Sequence, residues 1–101
     1  MVTHHPAKGV ELYREDDAFV VLVELSGFDR EDVDLRWHDR HLHVEAERHE
    51  PGERSRVFHR SIGLPRPIRE ADITATIEDG VLEVTLPLDD REREGRRIDI
   101  T

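Results

Sequence analysis

His41 and His43 stand two residues apart, with His38 and His49 close by in the chain. On a β-strand that spacing turns both imidazoles to one face, an arrangement able to grip a transition-metal ion. Leu42 and Val44 alternate with them, however, so the histidines occupy the solvent side of an amphipathic strand. No carboxylate stands at ligand spacing to complete a site, and His4-His5 has no better context. We expect a polar face and no bound metal. Paired carboxylates at Asp16-Asp17 and Asp89-Asp90 fall in a turn and in a charged tail, where water surrounds them. General acid–base catalysis needs a desolvated carboxyl with a shifted pKa. Ser26, Ser55 and Ser61 stand in no nucleophile motif, and the absence of cysteine removes thiolate chemistry. No glycine-rich loop precedes a helix to hold a phosphate. The expectation is a protein without catalytic residues and without a cofactor.

The elements that carry these residues must come from an economical core. The 101 residues suit one domain, with 36% apolar and 39% charged residues. A formal net charge of −9 argues against nucleic acid as a partner, because phosphate contacts need a basic face. No apolar run approaches the ~20 residues of a membrane helix, and no leader-like apolar stretch stands near the start. The chain therefore reads as soluble and cytoplasmic.

Periodicity points to β-strands throughout. Residues 1–9 form a short arm without pattern. Val10 to Arg14 opens the first strand, and "EDD" turns into "AFVVLVEL" at Ala18 to Leu25, apolar on both parities like a strand buried on both faces. From Asp32 to His38, Val33, Leu35 and Trp37 alternate with acidic and basic residues. Asp39-Arg40 then turns into "HLHVEAER" at hairpin spacing. "VFHRSIGL" follows the loop "HEPGERSR", and the prolines after it exclude a helix, leaving only a helical turn around Arg69 to Asp72. Ile73, Ala75 and Ile77 alternate with Thr74, Thr76 and Glu78, and Asp79-Gly80 turns into "VLEVTLP". About seven short strands with regular turn signals predict an all-β, immunoglobulin-like β-sandwich over residues 10–87.

The chain closes on "REREGRRIDIT". Residues from Leu88 to Arg97 are nearly all charged, yet Ile98 and Ile100 follow with only Asp99 between them. Residues 88–101 therefore read as a charged extension carrying a two-pronged apolar end.

Four stretches together resemble the α-crystallin domain of small heat-shock proteins, over about Val10 to Ile100. "DGVLEVTLP", with Gly80, Val81 and Leu82, is similar to the family's closing signature turn, and "FHRSIGLP" to its Phe-x-Arg strand. "YREDDAFVVLVELSGFDREDVDL" resembles its entry strands, and the terminal "IDI" its Ile-x-Ile tail. The resemblance implies an ATP-independent holdase that binds unfolding client proteins and self-assembles into a dimer or larger homo-oligomer. It implies that Ile98 and Ile100 dock as an added strand in a groove at a sandwich edge, usually on a neighbouring subunit. That groove is expected between "VDLRW" and "ITATI", lined by Val33, Leu35, Ala75 and Ile77. Two buried isoleucines contribute roughly 3–6 kcal/mol, and ordering each tail residue costs roughly 1.2–2 kcal/mol. One tail holds weakly, and an assembly needs several. The same two residues could instead pack on their own domain as a last strand.

The resemblance also implies an interface role for Arg60. Its parity sets it with Phe58, Ile62 and Leu64, so it either leans inward beside a partner charge or twists to the rim. Two departures stand out. Family members usually carry a longer N-terminal arm, and bacterial and archaeal members a longer loop that swaps a strand onto the partner. With "HEPGERSR" at about eight residues, the loop is too short to reach, and the expected dimer is either absent or formed by edge pairing of strands instead. The alternative function is a structural or adaptor module of the same fold that holds no client, like co-chaperone domains or gas-vesicle accessory proteins.

Overall fold

The computed structural model describes residues 9–52, 54–89 and 98–101, and the arm expected at residues 1–8 lies outside them. Seven strands run in chain order: β1 (Val10–Arg14), β2 (Ala18–Glu24), β3 (Val33–His38), β4 (His41–His49), β5 (Ser55–Gly63), β6 (Thr74–Glu78) and β7 (Val81–Pro87). They form two antiparallel sheets, of order β1-β2-β7-β6 and β3-β4-β5. This is the predicted all-β sandwich.

The core forms where the alternating apolar residues of the two sheets meet. Val21, Val23, Val84 and Leu86 from one sheet and Leu42 and Val44 from the other are almost wholly excluded from solvent. The apolar character of β2 on both parities also has a cause. β2 lies between β1 and β7, and its outward Val20 sits in register with Tyr13 on one side and Thr85 on the other. Only 5% of Val20 remains exposed.

Two hairpins set the register that later builds the site. At Asp39-Arg40 both φ angles are positive (52° and 61°), and Asp79-Gly80 repeats the pattern (50° and 78°). Two consecutive positive φ values match the right-handed twist of the flanking strands. At Gly80 the backbone also comes close to another chain segment. A Cβ there would lie 2.9 Å from Ser26 Oγ and 3.2 Å from Ser26 Cα. Leu25 N donates to Gly80 O at 2.7 Å, so the turn is stitched onto the end of β2. Val81 and Leu82 follow it directly into the core.

Several boundaries differ from expectation. Arg30–Asp32 forms a 3-10 turn, closed by Asp29 N donating to Asp32 Oδ2 at 2.8 Å. The expected helical turn is present as a second 3-10 turn at Glu70–Asp72. Leu88, expected at the head of the charged extension, is buried at 4% exposure and bridges to Ile68. Asp89 N continues the contact to Pro67 O at 3.0 Å. The sandwich thus runs through Asp89, because the segment after β5 returns and covers the end of β7. The loop expected over 49–56 is also shorter: β4 extends to His49 and β5 begins at Ser55, with Glu50 N donating to Arg54 O at 2.9 Å.

Candidate functional site

β3 and β6 end their respective sheets, each paired on one side only. Their inner faces flank an open cavity of about 580 Å³, within the usual range of ligand-sized clefts. Alternation explains its lining. β3 turns Val33 and Leu35 inward, and both are half-buried against the core. β6 turns Ala75 and Ile77 inward, and the Asp79-Gly80 turn sets Ile77 in register with Leu82 of β7. The structure therefore brings Val33, Leu35, Ala75 and Ile77 together in one lining, with Leu82 behind them. Arg30 and Glu78 add one charge of each sign. These two, Thr76 and Leu82 escaped the sequence reading of the groove, although the two-residue turn fixes the pairing of Leu82 with Ile77.

The other face of β3 is polar. Arg36 Nε donates to Asp34 Oδ2 at 2.8 Å, an exposed pair two residues apart on the strand. Asp34 and its neighbour Glu45 hold the Arg36 guanidinium above its ordinary pKa, the hydrogen bond to Asp34 being the larger cause. Asp32 and Asp34 also border a second open cavity on this face, whose walls carry Glu31, Glu45 and Glu47 as well. One strand thus presents apolar residues to the groove and carboxylates to the outside.

At the end of the chain Ile98 and Ile100 lie outside any helix or strand, 83% and 99% exposed. Neither packs on its own domain in this structure. Other large apolar residues left in solvent are Leu12, Tyr13 and Val57.

Arg60 sits opposite Val44 on the inward parity of β5, yet it is exposed. β5 is the far edge strand of its sheet, so an inward-leaning side chain there reaches the open rim. No described residue pairs with it, so of the two expected arrangements the structure shows the rim. Phe58 and Ile62, two residues either side, are half-buried.

The chemistry-bearing residues of the sequence are not gathered. His41 and His43 stack at 6.1 Å on the outer face of β4, and His41 Nδ1 lies 2.7 Å from Asp39 O. Among the described residues no three His, Asp or Glu side chains are grouped to hold a metal ion, and His4 and His5 lie outside them. Asp16 and Asp17 are exposed, and Asp89 is half-buried in the contact with Pro67; Asp90 lies outside the described residues. Ser26 donates to Glu24, and Ser55 and Ser61 are exposed. No polar or charged described side chain is buried, so no described carboxyl has the desolvation that acid–base catalysis needs. Among the described residues no helix is long and apolar enough to cross a membrane.

Comparison with known proteins extends this geometry. A sequence model described as the Hsp20/alpha crystallin family matches residues 11–101. Small heat shock protein C2 of Rickettsia felis is 30% identical over 88 residues, covering 76% of this chain and 57% of that protein. The chain thus spans little more than half the length of that relative. Among solved structures, heat shock protein 16.0 from Schizosaccharomyces pombe superposes with a TM-score of 0.72 at 26% identity, covering 91% of this chain and 73% of the other. A small heat-shock protein from Xylella fastidiosa, whose structure is described as having a distinct high order structure, gives a TM-score of 0.70 at 26% identity. The shared region covers 91% of this chain and 94% of that one.

Proposed function

The chain belongs to the Hsp20/alpha crystallin family, and from that premise we propose that it acts as an ATP-independent holdase, self-assembling through its Ile98-Asp99-Ile100 tail. The observation that carries the assembly half is the match between an open apolar groove and an exposed apolar pair. The groove between β3 and β6 is lined by five apolar residues, with Arg30, Thr76 and Glu78 among them, and bounded by two edge strands each paired on one side only. The tail offers two isoleucines at period two, the spacing with which an added strand presents alternate side chains to such a groove. Docking on a neighbouring copy removes both from water and leaves Asp99 outside.

The second contact between copies is the free edge of β5. The five residues from Glu50 to Arg54 join β4 to β5 directly, and no described strand departs from them. β5 therefore keeps a nine-residue edge with Val57 67% exposed and Arg60 on its rim. An unprotected edge of this length favours pairing with the same edge of a second copy.

Holding clients follows from the same weakness of contact. A tail that docks with only a few kcal/mol detaches readily, and each detachment exposes groove and isoleucines to unfolding chains. The test is light scattering from a heat-aggregating client with the protein at equimolar ratio. Suppressed scattering without nucleotide is expected. Undiminished scattering would leave the adaptor reading in its place.

A further inference from the structure

Resting on the pairing of β5 edges proposed above, we infer its register: two copies of β5 pair antiparallel about a two-fold axis at His59, so that Arg60 faces Phe58 of the partner subunit. A free edge alone leaves this open, since one strand can slide along its copy.

Direction and parity come from the backbone. Antiparallel pairing keeps the core face of one sandwich level with that of its copy. Parallel pairing of the same edge would turn a core face towards an outer face. Along β5, alternate residues direct N–H and C=O to β4, and those between direct them to the free edge. A ladder forms only where free-edge residues stand opposite free-edge residues. The two-fold axis therefore passes through a residue rather than between two.

Strand length and the two arginines choose among the registers left. With the axis at His59, all nine residues from Ser55 to Gly63 find partners. Moving it one residue, to Phe58 or Arg60, leaves two residues at one end unpaired. It also sets Arg56 against Arg60 of the partner subunit, or Arg60 against its own copy. Like charges directly opposite across a ladder destabilise it. Moving the axis two residues, to Val57 or Ser61, leaves four residues unpaired. Only the register at His59 combines the full ladder with no opposed arginines. Arg56, whose Nε donates to Glu50 Oε1 at 2.9 Å, then faces Ile62 of the partner subunit. Arg60, which pairs with no described residue, gains a cation–π contact with the partner's Phe58. Phe58 and Ile62 are half-buried, so each keeps apolar surface for an arginine stem. On the outer face Val57, 67% exposed, meets Ser61 of the partner subunit. His59 meets its copy with Glu45 Oε1 3.6 Å from its Nε2, so acid flanks both imidazoles.

The chain has no cysteine, so register can be read by single-cysteine trapping in the full-length protein under mild oxidation. Val57→Cys, Phe58→Cys, His59→Cys, Arg60→Cys and Ser61→Cys each report the register whose axis passes through that position. Directly opposed Cα atoms lie ~4.5–5.5 Å apart, within disulfide reach. Each residue away from the axis moves a position ~7 Å further along the strand from its own copy. Intermolecular disulfides forming several-fold faster at residue 59 than at the other four positions are expected. Fastest trapping elsewhere would overturn this register while leaving edge pairing in place. Trapping at none of the five would remove the pairing of β5 edges itself. A second readout isolates the arginines. Arg60→Glu turns the opposition with Arg56 of the partner subunit into an attraction, which favours the axis at Phe58. In that background the advantage of residue 59 over residue 58 should fall by about threefold or more. An unchanged ratio would contradict the arginines as its cause.

Discussion

Gly80 lies against Ser26, with Leu25 N bonded to Gly80 O at 2.7 Å and no room for a side chain between turn and strand end. This contact ties the β6–β7 hairpin to the end of β2 and so fixes where Ile77 and Leu82 face the groove. Gly80 has φ +78°, where an L side chain is strained, and a Cβ would also press on backbone at Ser26. Gly80→Ala should therefore cost about 2 kcal/mol, the sum of a left-handed conformation and displaced neighbours. Urea unfolding checks this, with an unchanged midpoint as the contrary result. A variant that folds but is displaced at this turn should also lose self-association, because the groove wall moves with it.

Leu88 should behave as a core residue rather than as part of a tail. Leu88→Ala is expected to lower stability by about 2–4 kcal/mol, the range for a truncated buried leucine. Thermal unfolding measures it, and a shift no larger than that of an exposed-site substitution would return Leu88 to the extension.

Tyr13 offers a spectroscopic check on the first strand. Its hydroxyl donates to Glu11 Oε2 at 2.8 Å, and this bond with the nearby carboxylate charge raises the phenol above its ordinary pKa of 10.0. The shift favours the neutral phenol in the folded state. Any stability it contributes is therefore present below the unfolded pKa and lost as pH rises through the folded one. Phenolate absorbance of the single tyrosine should appear above the usual pH, and Glu11→Gln should bring it down towards that range. Titration at the ordinary pH in the unmodified chain would contradict the contact.

Removing the tail's apolar pair should reduce assembly without touching the fold. Ile98→Ala with Ile100→Ala is expected to lower the oligomer mass seen by light scattering while leaving the unfolding midpoint of the dissociated chain at high dilution unchanged, since both residues are exposed in the single chain. An unaltered mass would assign the pair some other role.

Much of this was legible in local pattern and some was not. The period-two alternation of Val33, Leu35 and Trp37, and of Ala75 and Ile77, is a property of single strands, so strand positions and the inward face followed from it. The Asp79-Gly80 turn was readable because two residues tolerant of positive φ stand between two apolar runs, and the Asp39-Arg40 turn because a polar pair opened by such a residue does the same. What escaped depends on distant partners. Leu88 looks solitary among charges until Ile68 is brought beside it. Parity alone left Arg60 undecided, because its exposure depends on β5 being an edge strand. The 3-10 turn at Arg30–Asp32 resembled loop, although Asp29 and Asp32 stand at the spacing that closes it.

The central claim is that the tail occupies the groove between β3 and β6, and blocking the groove tests it most directly. Ala75 lines the cavity yet is exposed, so Ala75→Gln narrows the groove without disturbing the core or the charge. The measurement is oligomer mass by sedimentation for Ala75→Gln, for Ile98→Ala with Ile100→Ala, and for the three combined. We predict that each change lowers the mass and that combining them lowers it no further, since both remove one contact. A mass unaffected by Ala75→Gln, or a combined loss equal to the sum of the two, would contradict the account.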